Sequence, residues 1–215
     1  FKIKFQKNCL SNTMSNLTKI SFKFFFQHFI FKGFAADIFL AYKGLRVSFD
    51  RQLYNNKNES RLLAYSFFIS FVLFLERLPF RVSQNPSYLD EININDKIGI
   101  DLFSSIFFVP IFLYFISFFL HIFCLPFGTN ARYFETRLAF FWSTIVYSPI
   151  LLSISILEAV ISNFWLNMFL NSFSIFCYAW IFSSIFCWAH KFSSNLYLFL
   201  LLVTFYLFLT IVNIL

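Results

Sequence analysis

From residue 61 onward the chain alternates long apolar runs with short polar breaks. The run lengths predict five membrane-crossing helices at about 61–79, 99–127, 138–161, 164–189 and 195–215. At about 1.5 Å of rise per residue, some twenty apolar residues cross a hydrocarbon core of about 30 Å, and each run meets that length. The longest break, 81–98, carries Asn85-Pro86-Ser87 as a turn signal. The last three runs are separated by very short connections, which predict tight antiparallel hairpins. Pro110 and Pro149 fall inside the second and third spans, where a neighbouring helix can tolerate a bend.

Upstream of residue 61 the pattern changes. Phe22–Phe34 is too short and too interrupted by Lys23 and Lys32 to cross a bilayer, and is expected at the interface. From Phe34 to Tyr54, Ile38, Leu40, Tyr42, Leu45, Phe49 and Leu53 recur near helical spacing, with Asp37, Lys43, Arg46, Asp50 and Arg51 between them. That reads as an amphipathic helix on the membrane surface or against a partner. The expected fold is therefore an all-α integral membrane protein. A bundle of five transmembrane helices (61–215) is preceded by a basic amphipathic N-terminal arm (1–60).

Composition agrees with the pattern. The 215 residues are 59% hydrophobic, 24% aromatic and 13% charged, which excludes a water-soluble globular domain. There are 38 Phe and 4 Gly, a ratio that packing does not ask for. Phe, Ile, Leu, Asn, Tyr and Lys are residues of A- and T-rich codons, so the bias points to an organellar, mitochondrial genome. A first residue Phe1 fits an organellar start or N-terminal processing.

Charge sets the expected orientation. Residues 1–61 hold 11 of the 17 Lys and Arg, the first loop is net negative, and the second, 128–137, is positive through Arg132 and Arg137. The third loop has no Lys or Arg, and the fourth carries His190 and Lys191. By the positive-inside rule the arm lies on the inner side. In the mitochondrial inner membrane this puts the N-terminus in the matrix and the C-terminus in the intermembrane space. No RNA-binding motif accompanies the basic arm, and no nucleic-acid partner is expected.

Chemistry-bearing residues are few. Cys9, Cys124, Cys177 and Cys187 show no metal-ligand spacing, and no metal site or catalytic residue is predicted. No Ser-His-Asp order, phosphate-cradling glycine loop or metal-helix motif occurs, so a non-enzymatic role is expected. His121 and His190 fall at similar depth on different helices, as a haem sandwiched between them would need. Helix-end hydrogen bonding is the simpler account of both. A proton pathway would use Glu158, with Asp101 and Glu76 nearer the surface, but the span centres hold only Ser, Thr, Asn and Tyr.

The charged turn between the second and third spans is the most motif-like stretch. Arg132, Arg137 and Lys191 are candidate lipid-headgroup ligands, with cardiolipin the lipid such a site would bind, and Glu135 and Arg137 are a candidate ion pair. Tyr133 and Trp142 are placed where interfacial aromatic residues belong.

Taken with the five-span layout, these residues resemble the Yip-domain family of five-helix membrane proteins, in particular its alphaproteobacterial branch, over about residues 36–205. The resemblance lies in Asp37, Tyr42, Arg46 and Arg51 in the arm, Glu59 and Arg61 opening the first span, and Leu78-Pro79 closing it. It continues through Gly128, Tyr133, Phe134, Glu135, Arg137, Leu138, Ala139, Phe141, Trp142 and Pro149, and through Ala189, His190 and Phe192. It implies a five-helix fold and, for eukaryotic members, work in vesicle membranes with small GTPases. The functional expectation is a non-catalytic integral subunit of a mitochondrial respiratory complex or ATP synthase, with membrane lipids and neighbouring subunits as partners. A free Yip-type assembly or trafficking factor and a divergent proton-translocating subunit are the alternatives.

Overall fold

The computed structural model describes residues 31–55, 58–83, 94–129, 131–161, 163–192, 196 and 198–204. The first thirty residues of the basic arm, most of the connection 81–98 and the end of the fifth predicted span (205–215) lie outside the described residues. What is described is helical, without strands. In order the elements are α1 (Phe31–Lys43), α2 (Leu45–Tyr54), α3 (Glu59–Ser83), α4 (Ile94–Cys124), a 3-10 turn (Leu125–Phe127), α5 (Tyr133–Val160) and α6 (Phe164–His190). Four of them, α3 to α6, are long and apolar enough to cross a membrane. The protein is a membrane protein by that measure. The chain divides into two compact units at Leu40/Ala41, and the described part of the first unit is the opening of α1.

The four spans of the second unit alternate in direction. Arg137 at the start of α5 pairs with Glu59 at the start of α3, while the Ser155 hydroxyl near the end of α5 donates to the Glu76 carbonyl at 2.5 Å, so α3 and α5 run parallel. His121, late in α4, and His190, last in α6, both reach Thr136 near the start of α5, so these two helices run the other way. α5 lies between α3 and α6, and α4 packs mainly against α3. Beyond α6, the chain at 198–204 is helical and the Phe199 ring sits edge-on to Phe176 and Trp180 at 5.0 and 5.6 Å, as a hairpin return would place it.

With so little glycine, serine and alanine take the close-approach positions between helices. Ser66, Ser70, Ser117, Ala139, Ser143, Ser148 and Ser183 are buried, as small residues are wherever helices associate in lipid. Their hydroxyls are bonded within their own helices, for example Ser70 to the Ser66 carbonyl at 2.7 Å and Ser143 to the Phe140 carbonyl at 2.8 Å. Pro149 cannot donate to the Ile145 carbonyl, and the Ser148 hydroxyl donates there instead at 2.8 Å. α5 runs through the proline.

Phenylalanine is sorted by helix. α5 and α6 are each half buried over their most apolar stretch, whereas α4 is only 17% buried over its own. α4 shows Phe103, Phe107, Phe108, Phe112, Phe115 and Phe119 outward, and a wholly apolar groove of about 500 Å³ runs beside Phe115, Phe119 and Phe123. Aromatic rings facing out are at home in hydrocarbon, where exposing apolar surface carries no hydrophobic penalty.

The helices around the first, second and fourth predicted spans are Glu59–Ser83, Ile94–Cys124 and Phe164–His190. The third span differs: the helix begins at Tyr133, not Leu138. Tyr133–Arg137 reads as loop because it is polar, but the Glu135 carboxylate accepts the Arg132 N–H at 3.1 Å, which holds the first turn. The single amphipathic helix expected over 34–54 is two helices broken at Gly44, whose φ of −170° and ψ of 93° are extended. The buried side of α2 is not apolar: Phe49 is buried there together with Ser48 and Gln52.

Candidate functional site

Many of the described polar side chains meet at one end of the bundle, the end that carries α2, the start of α3 and α5, and the end of α4 and α6. Four sets of contacts build it. The first is a fork. Both terminal nitrogens of Arg137 donate to Glu59, at 2.8 Å to Oε2 and 2.5 Å to Oε1. The Arg137 side chain is only 11% exposed, while Glu59 is 63% exposed. The guanidinium carbon lies 4.4 Å from the Tyr133 ring centroid and 5.7 Å from that of Tyr114. A planar, weakly hydrated cation is the charged group best suited to such a wall of rings.

Arg137 was expected to pair with Glu135 and to reach lipid headgroups; in the structure its terminal nitrogens are on Glu59. Residues two apart on a helix diverge by about 200°, so Glu135 and Arg137 face different sides. The fork is taken by Glu59, and Glu135 turns back to cap its own helix.

The second set is a chain of hydrogen bonds through two histidines. Thr129 Oγ1 lies 2.6 Å from His190 Nδ1, His190 Nε2 lies 3.3 Å from Thr136 Oγ1, and Thr136 Oγ1 lies 3.0 Å from His121 Nδ1. The Ala131 N–H already donates to Thr129 Oγ1 at 3.1 Å. With neutral rings, one arrangement gives every group a partner. Thr129 donates to His190 Nδ1, His190 Nε2–H donates to Thr136, and Thr136 donates to His121 Nδ1. Thr136 is fully buried and His190 nearly so, with the His190 ring stacked 5.5 Å from Phe192 at 18° and 4.3 Å from Phe186. Thr136 thus bridges the two histidines. Both ring nitrogens of His190 face threonine hydroxyls.

The third set docks α2 and the end of α1. The Trp142 indole N–H donates to the Ser48 hydroxyl at 3.0 Å, the Tyr65 hydroxyl donates to Gln52 Oε1 at 2.8 Å, and the Tyr42 hydroxyl donates to the Val146 carbonyl at 2.6 Å. Burial, with a smaller contribution from nearby Cys177, raises the Tyr42 phenol above its ordinary range. Trp142 is fully buried, so it is not the interfacial aromatic the sequence suggested; it is the donor that ties α2 to α5. Arg61 is used in the same way. Its terminal nitrogens donate to the Gln52 and Asn55 carbonyls, closing the link between α2 and α3.

The fourth set lies at the end of α6. Arg46 is exposed and its guanidinium carbon lies 5.4 Å from the Trp188 ring centroid; the Trp188 N–H donates to Asp50 Oδ1 at 2.8 Å. Lys191 ends the helix in a left-handed conformation (φ 56°), with its N–H bonded to the Trp188 carbonyl at 3.3 Å and the Phe192 N–H to the Cys187 carbonyl at 3.0 Å. This double bond pattern is a helix C-terminal motif that normally employs glycine, and a lysine there costs about 1 kcal/mol. The turn from α4 to α5 also needs a left-handed residue, and there the sequence supplies Gly128 (φ 69°). Of the three predicted headgroup ligands, Arg132 and Lys191 are exposed and Arg137 is not.

No signal for the Glu59–Arg137 fork or the Thr129–His190–Thr136–His121 chain is available from local spacing, because the partners are separated by up to 78 residues. Comparison with protein-family models, with curated proteins and with solved structures finds no match.

Proposed function

We propose that the protein is a non-catalytic integral subunit of a mitochondrial inner-membrane assembly, a respiratory complex or ATP synthase, with a structural, lipid-binding or assembly role. The observation that carries this reading is α4, a spanning helix 17% buried within its own chain over its most apolar stretch, with a continuous aromatic face turned outward. Such a face suits neighbouring subunits as well as acyl chains. Arg46, Arg51, Arg61, Arg132, Arg137 and Lys191 at the α2 end outnumber Arg77, Arg81 and Lys97 at the opposite end, which supports a matrix-facing arm. Codon-driven phenylalanine supports the organellar origin. Native gel electrophoresis of solubilised mitochondrial membranes, with the band identified by mass spectrometry, tests the proposal. Co-migration with a large energy-transducing complex is the expected result, and a small, freely migrating particle overturns it.

A free Yip-type membrane factor is the second reading. It is favoured by the meeting at one end of the bundle of the residues that carry the resemblance: Tyr42, Arg46, Glu59, Arg61, Tyr133, Arg137, Trp142 and His190. Transient, substoichiometric association is its signature on the same gel. The proton-translocating alternative draws on Glu158, whose Oε1 is buried without a hydrogen-bond partner among the described residues. Against it stand the span serines, which bond carbonyls of their own helices.

A further inference from the structure

We propose that the end of α6 carries a binding site for the phosphate of an anionic phospholipid, held between Arg46 and Lys191 beside Trp188. The site rests on the membrane-protein reading and is independent of membership in a larger assembly. Four observations bring these residues together.

First, other cations of this end are already engaged. Arg137 is forked onto Glu59, and Arg61 donates to two backbone carbonyls. Second, Arg46 is exposed with its guanidinium carbon 5.4 Å from the Trp188 ring centroid, a contact that holds the guanidinium at the end of α6 and uses none of its N–H groups on a carboxylate. Third, Trp188 is 44% exposed at the end of a spanning helix, where indole rings sit at the headgroup level, and its N–H is oriented by Asp50. Fourth, Lys191 follows Trp188 by three residues at the end of α6, exposed and in a strained left-handed conformation (φ 56°). Strained non-glycine positions of this kind gather at functional sites.

α2 brings Arg46, Asp50 and Arg51 to this end and α6 brings Lys191, while Arg132 and Glu135 belong to the start of α5. Asp50 faces the indole N–H, so the phosphate meets the two cations. The lipid would lie in the leaflet on the α2 side, with its glycerol level at Trp188.

The full chain, purified and reconstituted in nanodiscs of phosphatidylcholine alone or mixed with phosphatidylglycerol, can be examined by native mass spectrometry for retained lipid. The wild type is expected to keep phosphatidylglycerol in preference. Arg46→Gln and Lys191→Gly are each expected to reduce that preference about fivefold, the equivalent of about 1 kcal/mol per cation. Arg132→Gln is expected to change it less than about twofold, as a charge outside the site would. Lys191→Gly relieves the left-handed strain, so its melting temperature should hold or rise while lipid is lost, which separates binding from unfolding. Equal retention of both lipids by the wild type overturns the site, as does an unchanged preference in both variants or a loss confined to Arg132→Gln. Release of the lipid by inorganic phosphate would assign the cations to a free anion and also overturns it.

Discussion

Replacing either member of the Glu59–Arg137 fork should have unequal consequences. Glu59 is 63% exposed, so Glu59→Gln leaves a side chain that water can solvate and that still accepts one N–H. For such a half-exposed partner the loss lies near the upper end of surface pairs, about 1 kcal/mol. Arg137 is 11% exposed, and Arg137→Met removes the fork, the contact with the Tyr133 ring at 4.4 Å and that with Tyr114 at 5.7 Å. A partly desolvated cation–π contact adds about 1 kcal/mol to the lost pair, and the cost of leaving the exposed Glu59 alone is small. Arg137→Met should therefore cost about 2 kcal/mol, roughly twice the loss from Glu59→Gln. The double variant should recover a coupling energy of about 1 kcal/mol. The exchange Glu59→Arg with Arg137→Glu should not restore stability, because it moves a carboxylate into the ring-lined position. Reversible unfolding in mixed micelles, followed by tryptophan fluorescence, measures all four. Equal losses for the two single variants, or zero coupling, would refute the account of Arg137 as a buried strut between α3 and α5.

Thr136 is the shared partner of both histidines, so Thr136→Val should cost about 2 to 3 kcal/mol by leaving their ring nitrogens unpaired, while Thr136→Ser keeps most of the stability; the same unfolding assay separates them. Trp142→Phe and Ser48→Ala should each cost about 1 kcal/mol and should not add in the double variant, because they remove the two halves of one bond. Tyr42 titrates above its ordinary range in the folded state, so the unfolded chain gives up that proton first as pH rises. Its contribution is present below about pH 10 and is lost at higher pH, so Tyr42→Phe should flatten the alkaline fall of the melting temperature while costing about 1 kcal/mol near neutrality. A pH profile parallel to the wild type would remove Tyr42 from the alkaline transition.

Four spans were legible because they follow from a single local quantity, the run of apolar residues against bilayer thickness. Where a second quantity intervenes, the reading slips. Tyr133–Arg137 is polar enough to read as loop, yet Glu135 at the third helical position caps Arg132 and brings the segment into α5. Residues 34–54 have the spacing of one amphipathic helix, and Gly44 interrupts it. Hydropathy treats Ser48 and Gln52 as solvent-facing. They are buried because an indole on α5 and a phenol on α3 reach them, and a pattern within α2 carries no record of those donors.

The site was legible as a set of residues and not as a set of pairs. His121, His190, Arg132, Arg137 and Lys191 all stand out in the sequence as polar residues at the ends of apolar runs, and all sit at the same end of the bundle. What each does depends on a partner from another helix, and charge alone does not rank the choices. Arg137 and Arg132 are five residues apart and equally basic, yet one is walled in by tyrosine rings and the other is exposed. The difference follows from helix phase. Once α5 starts at Tyr133, position 137 shares the face of Tyr133 toward α3 and α4, whereas position 132 precedes the helix and is free of that face. The same shift of the helix start therefore turns Arg137 toward Glu59 and the tyrosine rings, and leaves the exposed cations of this end to positions that cap helices instead of continuing them, Lys191 among them.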